Sequence, residues 1–200
     1  TSTIALLPGS RRREIELILP LQLDIARRIR RSHPSRFFAV AAPDIDVALI
    51  RRVYEKWQRS RGANLELNIK QGPIEKLLPK ADCAMIKSGT TTLQAMVLGI
   101  PFVMLDRMSQ LSYCLLRPFV HTKTYCLANL VSGENIVREY IQGAANPDVV
   151  SRYIVELLRS PERLSAMKQK LKTASKRLGT KDVSTEAADE IVKLVENTRT

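Results

Sequence analysis

The sequence has few of the residues that build disulfide frameworks, metal sites and aromatic binding surfaces. Only 5% of its 200 residues are aromatic, and it has 3 cysteines and 2 histidines. Cys83, Cys114 and Cys126 are odd in number and widely spaced, and with His33 and His121 they form no zinc-ligand pattern. We therefore predict reduced thiols in a cytosolic protein, with no metal and no cofactor.

Long apolar runs are also absent. No segment reaches the roughly 20 apolar residues that span a bilayer. The best candidate, residues 95–105, is interrupted by Gly99 and Pro101. The first residues lack the charged segment and cleavage site of a signal peptide. These absences predict a cytoplasmic protein.

Positive charge dominates the composition. The net charge of +12 indicates an anionic partner, which could be nucleic acid, a membrane surface or a phosphorylated ligand. The sequence has no zinc finger, RNA-binding signature or helix-turn-helix pattern, so nucleic acid has no support beyond charge. The arginines of IRRSHPSR and RRVYEKWQRSR lie in amphipathic helical segments, for which a solvated face is the default interpretation.

Short β-type runs alternate with helical patterns over the first part of the chain. The strands are TIALL, RFFAVAA, LELNIK, CAMIK and PFVML, and the helices cover residues 11–31, 45–60, 74–80 and 90–98. Strands separated by helices predict a parallel sheet covered on both faces, so the fold class is α/β, a Rossmann-like doubly wound sheet. Pro20 lies inside the first helical pattern, where it predicts a kink or a late helix start.

After about Pro147 only helical patterns follow. We therefore predict two parts: residues 1–146 form a Rossmann-like ligand-binding domain, and residues 147–200 form a helical extension that packs on it. Neither part contains an internal repeat or a low-complexity tract.

Two turns, PGSRRR and KSGTTT, carry the strongest functional signal. Each follows a predicted parallel strand and opens a helix, and the free N–H groups of such a helix start attract anions. Ser10 is the predicted N-cap of the first helix. Cations at a helix start are disfavoured by about 0.3–1 kcal/mol each, but a bound diphosphate would reverse that sign, so Arg11 is the predicted anion contact. Either turn alone would be structural, since Gly and Ser are ordinary turn residues.

Other phosphate and nucleophile motifs are missing. The sequence has no G-x-x-x-x-G-K-[ST] loop, no G-x-G-x-x-G after the first strand and no G-x-S-x-G elbow. These absences argue against P-loop nucleotidases, dinucleotide-binding domains and α/β-hydrolases.

Three segments, LLPGSRRREIELILP, KSGTTTLQAMVLGIPFVML and LANLVSGENIVREYIQ, together resemble the C-terminal half of the lipid-A-disaccharide synthase family. Its members are glycosyltransferases of the two-domain GT-B type that transfer 2,3-diacylglucosamine from UDP to 2,3-diacylglucosamine 1-phosphate. The resemblance implies one Rossmann-like half of that fold, which holds the UDP-sugar donor. The acceptor contacts and the catalytic base are expected in the family's N-terminal half, which we expect this chain to lack.

The resemblance also implies roles for individual residues. One group would line the diphosphate: Gly9, Ser10, Arg11, Ser88, Gly89, Thr90 and Thr91. The turn at Pro73 and Ile74 would read uracil through backbone groups, and Gln94 would contact the ribose diol. Arg107 is a further predicted donor contact, and Asn129 matches an asparagine near the family's active site.

Two positions depart from the family pattern. Gln94 stands where the family usually has glutamate, and Glu134-Asn135 stands where it has an Arg-Glu pair. We expect a donor-binding half-enzyme that is inactive alone. Two alternatives stay open: a nucleotide-binding or interaction module that pairs with a separate chain, and a GT-B relative that uses another UDP-sugar.

The expected partners follow from charge and from the resemblance. They are the UDP-sugar donor, a lipid acceptor, an N-terminal domain or partner chain, and a second copy of this chain. Nucleic acid is not expected. The expected location is cytoplasmic, with peripheral contact to an anionic surface on the inner face of the cytoplasmic membrane.

Overall fold

The apolar runs of the sequence form the strands of one parallel sheet. The structure, a computed structural model, describes residues 1–62, 64–108, 124–179 and 183–197. Its strands are β1 (Ser2–Leu7), β2 (Ser35–Ala41), β3 (Asn68–Gln71), β4 (Cys83–Lys87), β5 (Phe102–Asp106) and β6 (Glu139–Ile141). The first five match the predicted runs. The sixth was missed because it is short and only Tyr140 of its three residues is buried.

Helices connect and follow these strands. They are α1 (Arg12–Ser32), α2 (Val47–Arg61), α3 (Ile74–Leu77), α4 (Thr91–Leu98), α5 (Leu127–Ser132), α6 (Pro147–Leu158), α7 (Pro161–Ser175) and α8 (Val183–Asn197). Short 3-10 turns cover Leu78–Lys80, Gln142–Ala144 and Lys176–Leu178. Cys114 and His121 lie outside the described residues.

The strand order places a ligand crevice at β1 and β4. The order is β3-β2-β1-β4-β5-β6, and every neighbouring pair is parallel. The chain moves outward from β1 in one direction and from β4 in the other, which is the switch point where doubly wound sheets bind ligands. The predicted Rossmann-like doubly wound sheet is confirmed.

Right-handed crossovers explain how the helices cover the sheet. Because the two halves wind in opposite directions, α1 and α2 lie on one face and α4 on the other. Helix α1 packs against α2 and α6, while α4 packs against α5 and α7. Helices α6 and α7 therefore pack on opposite faces of the sheet. Arg28 of α1 pairs with Asp148 of α6 at 2.5 Å.

The start of α1 differs from the prediction. Its N-cap is Arg11, in an extended conformation, and not Ser10. The Glu14 carboxylate accepts hydrogen bonds from the backbone N–H groups of Ser10 and Arg11, at 3.1 and 3.3 Å. A charged acceptor in the first helical turn thus takes the place of the serine hydroxyl. The helix also continues through Pro20, so a late start is excluded.

Asn129 fixes the loop between α5 and β6. Its amide nitrogen donates to the Val137 carbonyl and to the Glu139 carboxylate, both at 2.8 Å, and its amide oxygen accepts from the Val137 N–H at 2.9 Å. The side chain is 2% exposed. All of its polar groups are therefore used inside the chain, where buried amides need partners.

We predict that Asn129→Ala lowers the free energy of unfolding by about 3 kcal/mol, because two buried backbone groups lose partners that are worth about 1–3 kcal/mol each. Urea denaturation followed by circular dichroism measures the change. Leu130→Ala is the control, since Leu130 is the next residue and is 61% exposed. It should change the stability by less than about 1 kcal/mol. Equal losses in the two variants would show that the amide network contributes nothing specific.

Candidate functional site

The two predicted turns face each other across one cavity. Strands β1 and β4 are paired, with Leu7 opposite Ile86, so the turns that follow them lie at the same edge of the sheet. Between them is a cavity of roughly 500 Å³. Its lining includes these predicted residues: Gly9, Ser10, Arg11, Ile74, Ser88, Gly89, Thr90 and Thr91.

Four other predicted residues do not line this cavity. Pro73 is the residue before Ile74, at the start of α3. The amide nitrogen of Gln94 donates to the Glu75 carboxylate at 3.1 Å. The Arg107 guanidinium donates to the Ala145 carbonyl at 3.3 Å. Asn129 is enclosed in the network described above, so its polar atoms are directed into the chain.

Gly9 lets the Glu14 side chain of α1 pack closely against the turn that precedes this helix. Its φ is +114°, in the region that favours glycine. A β-carbon at this position would lie 2.4 Å from the carboxylate oxygen Oε2 of Glu14. Glycine is therefore required here for two independent reasons, and any side chain would displace the carboxylate that holds the turn.

The second turn presents free backbone donors. Gly89 has a φ of +146°, and a β-carbon there would meet nothing within 4 Å. The Thr92 hydroxyl donates to the Gly89 carbonyl at 2.7 Å, which fixes the turn from inside α4. Among the described residues, no acceptor is found for the N–H groups of Gly89, Thr90 and Thr91. These donors and the positive end of the α4 dipole point to an anion.

Lys87 and Glu14 also line the cavity, and Asp106 contacts Lys87 without lining it. The Lys87 ammonium lies 3.5 Å from Glu14 Oε1 and 3.9 Å from Asp106 Oδ2. It also donates to the Ser88 hydroxyl at 3.3 Å, and that hydroxyl donates to Asp106. These charged side chains are only 15–19% exposed. Because such charges are partly shielded from water, their mutual attraction is stronger than at an open surface.

Sequence reasoning did not assign Lys87, Glu14 or Asp106 to the site. The available signal was positional: Lys87 and Asp106 are the last residues of the apolar strands β4 and β5. Charged residues at the carboxyl ends of parallel strands lie where such folds bind ligands. Arg11, by contrast, was predicted, and it lies 3.7 Å from Glu14 with its side chain 83% exposed.

Neither cysteine of the described residues is poised to react. Cys83 and Cys126 are buried free thiols. Burial raises the pKa of the Cys83 thiol to about 12 and also raises the pKa of Cys126. A thiol is a nucleophile only when it is ionised, so both remain inert at neutral pH.

Neither a metal cluster nor a membrane-spanning helix is found where the structure describes the chain. No group of three or more His, Cys, Asp or Glu side chains could hold a metal ion in that part. Over the same ranges, no helix has the length and apolar character to cross a bilayer.

Solved structures share this fold at low sequence identity. The crystal structure of MurG from Acinetobacter baumannii is 14% identical with a TM-score of 0.55, and the alignment covers 96% of this chain and 49% of that one. A structure titled trehalose-6-phosphate from E. coli bound with UDP-2-fluoro glucose is 14% identical with a TM-score of 0.56, covering 97% and 44%. At these identities the likeness establishes the fold, which is that of one half of a GT-B glycosyltransferase.

Curated relatives are more similar in sequence. The lipid-A-disaccharide synthase of Syntrophus aciditrophicus (strain SB) is 31% identical over 191 residues, which cover 94% of this chain and 48% of that protein. The enzyme of Anaeromyxobacter sp. (strain K) is 33% identical over 192 residues, covering 96% and 49%. The chain thus spans about half the length of the curated relatives it matches.

The family comparison agrees with these relatives and with the three sequence segments. The model of the lipid-A-disaccharide synthetase family matches residues 1–195. Because that match covers nearly the whole chain, this protein belongs to the lipid-A-disaccharide synthetase family.

Proposed function

We propose that this chain is the donor-binding half of a lipid-A-disaccharide synthase, which transfers 2,3-diacylglucosamine from UDP to 2,3-diacylglucosamine 1-phosphate. The observation that carries the proposal is the cavity at β1 and β4. There, two cations converge on one space with a row of backbone N–H groups that have no acceptor among the described residues. That set of donors matches the chemistry of a diphosphate, which carries several strong acceptor oxygens.

Each wall of the cavity has its own part in holding the donor. The N–H groups of Gly89, Thr90 and Thr91 bind phosphate oxygens from the α4 side. Arg11 approaches from the opposite side, and its exposed guanidinium is free to turn toward the ligand. Lys87 lies beside the α4 turn, at the end of β4. The diphosphate competes with the Glu14 carboxylate for both cations. Glu14 therefore offsets part of the positive charge of Arg11 and Lys87, and it releases both cations as the donor binds.

The same donors support the chemical step. As the bond between the sugar and UDP breaks, negative charge develops on the leaving diphosphate. Backbone N–H groups and the part-buried ammonium of Lys87, which are already in place, stabilise this charge without reorganisation. Lys87 is best suited to this role because the Ser88 hydroxyl and two carboxylates hold its ammonium at the cavity wall.

The nucleoside lies toward α3 in this proposal. Ile74 lines the cavity, and the turn at Pro73 presents backbone groups to uracil. Gln94 and Glu75 bridge α4 and α3 at 3.1 Å. A carboxylate is a stronger acceptor for a diol than an amide is, so Glu75 and Gln94 together offer the ribose one charged and one neutral partner.

A catalytic base must come from elsewhere. The acceptor hydroxyl needs a base within about 2.6–3.2 Å of its proton. Glu14, which lines the cavity, and Asp106, which does not, are both engaged with Lys87. We therefore assign the base and the acceptor contacts to an N-terminal half, present in the same protein or as a separate chain. The expected site of action is the cytoplasmic membrane face, where the lipid substrates lie.

We predict that Arg11→Ala and Lys87→Met each weaken UDP binding by about 1.5–3 kcal/mol, the usual value of a hydrogen bond to a charged group. Calorimetric titration with UDP and with uridine separates the diphosphate from the nucleoside. Uridine affinity should change little. Arg13→Ala is the matched control, because Arg13 is exposed in the same helical turn and does not line the cavity. Equal losses for UDP and uridine would remove the diphosphate assignment.

We predict that Gln94→Glu alone does not tighten UDP binding, because the new carboxylate would face Glu75 and like charges repel. In the Glu75→Gln background, Gln94→Glu should restore one carboxylate and return the affinity to that of the unaltered chain. Parallel titrations with UDP and 2′,3′-dideoxy-UDP measure the ribose contribution. Identical effects on both ligands would show that neither residue contacts the diol.

We predict no disaccharide from the chain alone. Holding donor and acceptor together contributes about 7–11 kcal/mol to lowering such a barrier, and this half holds only the donor. The assay incubates the chain with UDP-diacylglucosamine and diacylglucosamine phosphate, with and without the N-terminal half of a related synthase. Slow hydrolysis of the donor fits the proposal. Disaccharide formed by the chain alone would contradict it and require a base within these residues.

A further inference from the structure

A second concave surface lies between α1 and α2, outside the diphosphate cavity. This groove has a volume of about 510 Å³. Its floor is apolar and consists of Pro20, Leu49, Val53 and Trp57. Its rim is basic and includes Arg12, Arg52, Lys56 and Arg61, with one acid, Glu16. An apolar floor under a cationic rim fits a ligand that is itself amphipathic and anionic.

Two of the rim cations have no counterion in the described part of the chain. Arg12 pairs with Glu16 at 2.9 Å, and Arg61 pairs with Asp24 at 3.1 Å. Arg52 and Lys56 form no ion pair or hydrogen bond with any described residue, and both are exposed. They stand one helical turn apart on α2, so they face the groove together. The groove therefore carries an uncompensated positive charge at a defined place.

The burial of Trp57 limits which classes of ligand the α1–α2 groove can bind. The indole is 4% exposed, its N–H donates to Asp24 at 3.0 Å, and its ring stacks on Tyr54. Proteins that bind single-stranded nucleic acids stack bases on exposed aromatic faces. Trp57 offers no such face, although its edge forms part of the groove floor. This arrangement favours an aliphatic ligand over a nucleic acid.

We propose that the α1–α2 groove binds the headgroup region of an acidic phospholipid and so places the chain on an anionic membrane surface. Arg52 and Lys56 hold the phosphate. The glycerol and the first methylenes contact Leu49, Val53 and Trp57. Long cationic side chains suit this role because their aliphatic stems lie along apolar surface while their charges reach the headgroups. This inference does not depend on the proposed function, since it uses other residues and another surface.

Vesicle co-sedimentation at low salt tests the charge requirement. Each cation near an anionic bilayer accounts for about 5-fold in affinity, so Arg52→Gln/Lys56→Gln should weaken binding to phosphatidylglycerol-containing vesicles by about 30-fold. Arg51→Gln/Arg59→Gln is the matched control. It removes the same charge from exposed positions of the same helix that do not line the groove. The control pair should lose less than about 5-fold, and high salt should reduce binding of all forms.

Trp57 reports occupancy of the groove directly, because it is the only tryptophan of the sequence. Short-chain phosphatidylglycerol should change its fluorescence in a saturable way, and Arg52→Gln/Lys56→Gln should abolish that change. Phosphatidylcholine of the same chain length, inorganic phosphate and oligonucleotide should have no effect.

Several results would overturn the inference. Equal losses for the two charge pairs would show diffuse attraction of the whole basic surface. A fluorescence change with inorganic phosphate or oligonucleotide alone would assign the groove to a free anion or a nucleic acid. Absence of binding to anionic vesicles at low salt would leave α2 as an ordinary solvated helix.

Discussion

The Glu14 carboxylate joins the first turn of α1, the strand end of β4 and the chain reversal after β1. It accepts hydrogen bonds from the backbone N–H groups of Ser10 and Arg11. It also forms ion pairs with the Arg11 and Lys87 side chains. It also occupies the space that a side chain at Gly9 would need. Because one group makes all these contacts, displacing it would move the turn, both cations and the cavity wall together.

This arrangement reconciles stability with anion binding. A cluster of cations alone would repel itself and weaken the helix start, at about 0.3–1 kcal/mol for each charge near the dipole. Glu14 and Asp106 balance Arg11 and Lys87 when no ligand is bound. In the proposed function, an incoming diphosphate then exchanges one set of anionic partners for another. The free N–H groups of the α4 turn add donors that no carboxylate of the described chain uses, and they favour the ligand over the internal pairs.

Local pattern predicted much of this fold and part of the site. Strands β1 to β5 could be predicted because each is a short apolar run bounded by turn residues. The two glycine turns could be predicted from the tripeptides PGS and KSG. Strand β6 was not, since three residues give no periodicity. The N-cap was assigned to Ser10 because serine is a common cap. The structure instead uses an acid three residues beyond the cap, where tertiary contacts with Lys87 reinforce it.

The pairing of Glu14 with Lys87 could not be read from the sequence. It depends on β4 lying beside β1, and a reversal of strand order is a property of the whole sheet. The same limit applies to Asp106, which meets Ser88 only because β5 lies beside β4. Residues that end neighbouring strands become a site through topology, so sequence analysis finds the turns and misses the charges between them.

The three arginines at the start of α1 receive separate explanations from helix geometry. Successive side chains on a helix are rotated by about a quarter turn or more, so adjacent cations cannot share one partner. Arg11 lines the diphosphate cavity, Arg12 pairs with Glu16 on the rim of the α1–α2 groove, and Arg13 is exposed. Two adjacent residues at the start of α1, Arg11 and Arg12, therefore belong to two different basic surfaces, the cavity and the α1–α2 groove. If both surfaces are occupied as proposed, a chain resting on a membrane through the groove would hold its nucleotide cavity beside the same surface that carries the lipid substrates.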